Sequence, residues 1–217
     1  KEQIINQAFK FHSQGNISEA KKYYKYFINK GFKDHRVFSN YGVILSDLGH
    51  LKEAEIYQRK AIEINPYFTQ AHLNLGNILS DLGKSKEAEL STRKAIEINP
   101  HFAQAYSNLE NILRSLGNLK EAELTTRKAI ELKPKYAEAH SNRGNVLRDL
   151  DKLQDAELSY RKAIEIKPDY SNAHFNLGVI MKDLGKLQDA ELYTRKAIEL
   201  NPDFPKAHSH LGNILKD

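Results

Sequence analysis

The chain has 217 residues, 40% of them hydrophobic and 28% charged, with a net charge of +5 and no cysteine. That is enough apolar material for a folded core, and it excludes disulfides and cysteine-ligated metal. No apolar run approaches the roughly 18 residues of a membrane span, and the bases are interleaved with acids rather than clustered, so neither a membrane nor a nucleic acid is expected as partner.

One pattern returns every 34 residues from Lys1: 1–34, 35–68, 69–102, 103–136, 137–170 and 171–204, with 205–217 opening a seventh copy. Such a period marks an array of one supersecondary unit. In the copy Thr69–Phe102, Ala71, Leu75, Ile78, Leu79 and Leu82 form one apolar stripe of helical spacing. Gly83 punctuates the chain, and a second stripe (Ala88, Ala95, Ile96, Ile98) runs to Asn99-Pro100. Proline lacks the N–H a continuing helix needs and biases the residue before it away from helix. Each unit therefore predicts two antiparallel helices. Small residues at position 8 (Gly42, Gly76, Gly144, Gly178, Gly212) and position 20 (Ala20, Ala54, Ala88, Ala122, Ala156, Ala190) allow close helix approach. One pair buries too little surface to stand alone, and stacked pairs share a continuous core. The expected fold is an all-α solenoid, with 1–217 as a single domain.

Repeat one is atypical, with Phe9, Phe11, Tyr23, Tyr24, Tyr26 and Phe27, and Gly31-Phe32 in place of the Asn-Pro step. It is either an end unit with a rearranged core or an aromatic surface for a partner, an upstream unit or a second copy. Repeats two and three are regular, and an aromatic closes most units (Phe68, Phe102, Tyr136, Tyr170, Phe204), expected to staple the helix that follows. Repeat four carries Glu110 at the close-packed glycine position; repeat five carries Arg143 at a leucine position and Asp151 at the turn glycine. Unpaired and buried, either charge costs several kcal/mol, so Glu110 and Arg143 are expected to pair. Repeat six is regular, and Pro205 suits the first turn of a last helix. There Leu211, Ile214 and Leu215 would lie partly bare, so homo-oligomers through the terminal repeats are one expectation. Lys1 is not an initiator methionine and the last unit stops inside its first helix, which suggests a piece of a longer chain. Glu-Arg-Glu steps of four residues, as in Glu89, Arg93 and Glu97, line solvated faces of the second helices.

The Leu-Gly at positions 7–8, Ala at 20 and 27 and Pro at 32 resemble the tetratricopeptide repeat along essentially the whole chain. The family's aromatic positions are partly missing: position 4 is His72, Tyr106, His140, His174 and His208. The resemblance implies a right-handed αα-superhelix (alpha solenoid) with first helices lining its inner surface. It also implies a protein-binding scaffold, for which a cytoplasmic location is expected. The first helices are similar, too, to those in the repeat region of O-linked N-acetylglucosamine transferases. That likeness implies an alternative role as the substrate-targeting arm of a larger enzyme; a self-associating structural module is a third reading. Some family members clamp a C-terminal carboxylate with lysine at position 5, which here holds Ile5, Ser39, Leu73, Ser107, Ser141, Phe175 and Ser209, so that clamp is not expected.

Position 6 carries Asn6, Asn40, Asn74, Asn108, Asn142 and Asn176, then His210. It lies off the apolar stripe. A carboxamide both donates and accepts, so a column of them can pair with an extended peptide backbone without reading side chains. By the transferase resemblance these asparagines are the peptide-holding residues. Alternatively, each bonds to the adjacent helix and fixes the unit spacing; the residues alone leave both open. Asn77, Asn111 and Asn145 at position 9 would add to the groove. Arg36, Gln70, Gln104 and Glu138 at position 2, with Arg114, Arg148 and Lys182 at position 12, would tune selectivity, and their mixed signs argue against one highly charged ligand. The recurrent histidines lack the spacing of a metal site. No phosphate loop or nucleophile elbow occurs, so no catalysis, cofactor or metal is expected from these residues.

Overall fold

A computed structural model describes residues 1–216, all of whose regular elements are helices. The chain divides into two compact units, Lys1–His101 and Phe102–Asp217. The first unit stacks three helix pairs: α1 (Glu2–Ser13) with α2 (Ile17–Asn29), α3 (His35–Asp47) with α4 (Leu51–Ile64), and α5 (Thr69–Asp81) with α6 (Ser85–Ile98). The second stacks α7 (Ala103–Ser115) with α8 (Leu119–Leu132), α9 (Ala137–Asp149) with α10 (Leu153–Ile166), and α11 (Ser171–Asp183) with α12 (Leu187–Leu200); α13 (Pro205–Ile214) packs on α12.

The punctuation works as local chemistry requires. After α5, Gly83 takes φ +74, its N–H donates to the Ser80 carbonyl at 2.9 Å, and the Lys84 N–H reaches back to Leu79 at 2.8 Å. That left-handed conformation suits glycine. Repeat five adopts it with Asp151 at φ 59, the one non-glycine of positive φ among the described residues. The second helices of repeats two, three and six end at an Asn-Pro step and those of repeats four and five at Lys-Pro; after α6 the Asn99 side chain accepts from the His101 N–H at 3.1 Å. The position-4 histidines clip the next helix to this turn. Nε2 of His72, His140 and His174 stands 2.9 Å from the carbonyl oxygens of Pro66, Pro134 and Pro168. A carbonyl only accepts, so Nε2 carries the proton.

The closing aromatics do more than staple the helix that follows. Phe68 is the N-cap residue of α5 and also lies edge-on to His35 at 4.6 Å, while Phe204 packs on Phe175 at 5.0 Å. Each thus closes back on the first helix of its own repeat. In repeat one, Tyr24 and Phe27 are fully buried, which supports the rearranged core, although Tyr26 is half-exposed. In α13, Ile214 is buried and Leu215 exposed, so the bare patch expected there is smaller than the sequence suggested.

First and second helices of a pair touch at position 8. A Cβ on Gly144 would fall 2.6 Å from the buried Tyr160 ring, which leaves room for hydrogen alone. Glu110 occupies that position in repeat four, is 0% exposed, and neither carboxyl oxygen has a hydrogen-bond partner. The expected Glu110–Arg143 pair is not formed, and the Nε of Arg143 is likewise buried without a partner. The reason is angular: adjacent helix positions diverge by about 100°, so positions 7 and 8 on neighbouring first helices do not face each other. Glu110 instead escapes its burial cost by holding a proton. Burial pushes its pKa up to about 8, with Arg114 opposing and Asp149 reinforcing the shift.

Two outcomes follow for stability. Unfolded, Glu110 ionises near 4.5; folded, near 8. The folded state therefore keeps a proton the unfolded chain has lost. Glu110's contribution is full below about pH 4.5 and is lost as pH rises to about 8, on the order of 5 kcal/mol in all. Urea unfolding at pH 5, 6.5 and 8 should show this decline in the native chain and a much flatter profile in Glu110→Gln. Asp151→Gly should raise stability by about 0.5–1 kcal/mol, read as a higher Tm.

Candidate functional site

Position 6 falls on each first helix beside the preceding repeat, and the asparagines there are half-buried except Asn6, which is exposed. In the first unit, Asn40 Nδ2 donates to Tyr24 Oη at 3.3 Å and Asn74 Nδ2 to Ser39 Oγ at 3.3 Å. In the second, Asn142 Nδ2 donates to Ser107 Oγ at 3.1 Å and Asn176 Nδ2 to Asn145 Oδ1 at 3.1 Å. Each of these bonds crosses one repeat boundary, so the side chains that the sequence grouped by position also tie adjacent pairs together. A carboxamide has two N–H donors and two acceptor lone pairs. The boundary bond commits one of the donors of Asn40, Asn74, Asn142 and Asn176.

Anchors hold these acceptors in turn. Ser39 Oγ donates to Gln58 Oε1 at 2.9 Å, and Gln58 Nε2 donates to the Ser39 carbonyl at 2.8 Å. Asn145 Oδ1 also accepts from Tyr160 Oη at 2.8 Å, and Tyr160 is wholly buried. Ser39, Ser107, Gln58 and Tyr160 were not singled out in the sequence as parts of this network. Their signal is faint: position 5 mixes serine with apolar residues, and position 24 varies among Tyr, Gln and Thr. At the far end of the row His210 lies edge-on to Phe175 at 5.7 Å, and burial lowers its pKa.

The neighbouring positions separate into groups. Gln70 Nε2 donates to Asn74 Oδ1 at 2.8 Å and so belongs to the row itself. Asn111 Nδ2 donates to the Ser107 carbonyl at 3.2 Å. Arg36 pairs with Asp34 at 2.7 Å and lies over the Phe9 ring at 5.4 Å. Arg114 Nε meets Asp149 Oδ2 at 2.5 Å, and Arg148 lies 3.8 Å from the other oxygen of that carboxylate. Glu138 lies 3.9 Å from Lys167, outside close hydrogen-bonding range. Asn77 and Gln104 are exposed, and Asn108 and Lys182 half-buried, on their first helices. The charges along this face are thus largely compensated, and its distinguishing chemistry is the neutral amide.

Among the described residues no group of three or more His, Cys, Asp or Glu is placed to hold a metal, and no helix is long and apolar enough to cross a membrane.

Comparison with solved structures finds the same fold repeatedly. YrrB, described as a TPR protein with an unusual peptide-binding site, is 24% identical with a TM-score of 0.61, over 86% of this chain and 96% of its own. TTC0263, a thermophilic TPR protein of Thermus thermophilus, is 22% identical with a TM-score of 0.73, over 85% of this chain and 100% of its own. The Cut9–Hcn1 hetero-tetramer of the APC/C is 15% identical with a TM-score of 0.85, over 96% of this chain but 41% of the matched chain. No curated protein matches. Models described as tetratricopeptide repeat match residues 35–68, 69–102 and 171–204, and one described as TPR repeat matches 111–151 and 144–185. Matched over most of its length by these models, and built of the helix pairs they describe, the chain belongs to the tetratricopeptide repeat family.

Proposed function

We propose that the chain is a protein-binding scaffold that holds an extended peptide along the first-helix face of its repeats. The backbone of that peptide pairs with the asparagines of position 6. The observation that carries this reading is the half-buried carboxamide with one donor committed to the neighbouring repeat. Asn40, Asn142 and Asn176 each show it. Such a group is oriented in advance, so little rotamer freedom is lost on binding, and its carbonyl oxygen and second N–H match the two groups an extended backbone presents. Each net hydrogen bond contributes about 0.5–1.5 kcal/mol, so affinity requires several rungs: Asn6, Asn40 and Asn74 in the first unit, and Asn108, Asn142 and Asn176 in the second. Asn77, Asn111 and Asn145 add polar contacts, and the position-2 and position-12 side chains grade selectivity. YrrB, whose fold is shared, is itself described as having a peptide-binding site.

A second reading rests on the likeness of the asparagine-bearing helix to that of O-linked N-acetylglucosamine transferases. There the same groove would present substrate protein to a catalytic domain elsewhere in the gene product, whose sequence separates the two readings.

The test compares binding on a peptide array by the native chain and by Asn74, Asn108 and Asn142 changed together to Ala, with circular dichroism to confirm helicity in both. Binding should fall at least tenfold, because roughly three backbone pairings are lost. A bound peptide resynthesised with N-methylated backbone amides should lose affinity similarly. Equal binding by the folded triple variant, or indifference to N-methylation, overturns the reading.

A further inference from the structure

A second recognition feature lies off the asparagine row, on the second-helix side of repeat three. A cleft of about 530 Å³ opens between α4 and α6 over α5. Its floor includes Leu75, Leu79 and His72, Ser91 and Arg59 border it, and Leu90, 70% exposed, forms a lip.

The chain shows what fits there, because repeat six presents the same place filled. At position 23, where repeat three has Ser91, repeat six has Tyr193. The Tyr193 ring lies 6.2 Å from the ring of His174 at position 4 and packs against the core cluster that includes Leu177 and Met181. The guanidinium of Arg161, from the preceding repeat, sits 5.5 Å from the ring centroid, and its Nη1 donates to Tyr193 Oη at 2.8 Å. Repeat two fills the position as well, with Tyr57 edge-on to Tyr41 at 4.8 Å and tilted over Phe38 at 6.1 Å.

Repeat three keeps the receiving residues and lacks the ring. His72 stands in the place of His174, Leu75 and Leu79 in the places of Leu177 and Met181, and Arg59 in the place of Arg161. Ser91 turns its hydroxyl to the His72 carbonyl at 3.0 Å, away from the volume a tyrosine would take. With no phenol to bond, Arg59 Nη2 donates to Glu87 at 3.0 Å. Both partners of that contact are about half exposed, and such surface pairs are weak, so a phenolic oxygen can replace it.

We propose that this cleft docks a tyrosine side chain presented by a partner protein. The ring would stack on His72 over Leu75 and Leu79, Leu90 would close its edge, and Arg59 would supply the cation over the ring face and a donor to the hydroxyl. Neither Asn74 nor Asn77 of α5 lines the cleft, so it is a site distinct from the one proposed for the peptide.

The experiment is a methyl-labelled NMR titration of the whole chain with N-acetyl-L-tyrosinamide, and with N-acetyl-L-leucinamide as the aliphatic control. The tyrosine probe should produce saturable shifts at the Leu75, Leu79 and Leu90 methyls, and the leucine probe should bind clearly more weakly. Ser91→Tyr, which installs the residue that repeats two and six already carry, should leave helicity intact and weaken the probe at least tenfold. Arg59→Ala, at an exposed site, should weaken it roughly threefold to tenfold, and it decides the matter by itself where Ser91→Tyr disturbs the fold. Absence of saturable shifts, equal binding of the leucine probe, or unchanged affinity in Arg59→Ala or in folded Ser91→Tyr overturns the proposal.

Discussion

A helix pair of this length has two apolar stripes and cannot bury both by itself, so each repeat in a stack depends on its neighbour for a wall. The contact that makes this work is the close approach of the two helices within a pair. Ala54, Ala88, Ala122, Ala156 and Ala190 are all fully buried on the second helices. Opposite them stand glycines such as Gly144, where a single added carbon would meet the Tyr160 ring. With the helices this close, larger apolar side chains of the first helix turn to the next pair, and the stack forms. The acidic residue at this position in repeat four is accommodated by remaining protonated, because its charged form would be far from water.

The same economy governs the polar groups. Asn40, Asn74, Asn142 and Asn176 at position 6 serve as boundary ties through one N–H. The outer edge of the stack is fastened electrostatically. Glu55 meets Arg59 of its own repeat at 2.8 Å and Lys84 of the next at 2.8 Å, and Glu157 repeats the arrangement with Arg161 and Lys186. Hydrogen bonding from Lys84, followed by Arg59, holds the Glu55 carboxyl below the usual range. Each of these bridges sets a half-exposed basic side chain against a mostly covered carboxylate and is individually weak, and Arg161 lies over the Tyr193 ring as well.

Histidine shows where sequence reasoning stopped. Spacing alone argued against a metal site, since the rings recur one per repeat rather than one turn apart. It did not reveal that each of His72, His140, His174 and His208 is clipped to a proline carbonyl six residues earlier in the preceding turn. The Glu110–Arg143 expectation failed for a related reason: near-register in a repeat alignment says nothing of the direction in which two side chains leave their helices. Repeat one was read as either a rearranged core or a contact surface, and its aromatics divide between the two, with Tyr24 buried and Tyr26 half-exposed.

The period, the helix pairs, the turn glycines and the proline stops were all determined by the sequence, because each depends on residues within a few positions of one another and on backbone preferences that act locally. Partner choice belonged to the tertiary structure. Asn74 meets Ser39 across 35 residues, Tyr193 meets Arg161 across 32, and Ser91 turns to the carbonyl of His72 across 19. Those pairings depend on ångström-scale separations between packed helices, which periodicity leaves open. Stacking decides them, and with them which amides are tied at the boundaries and which aromatic position is left as a cleft.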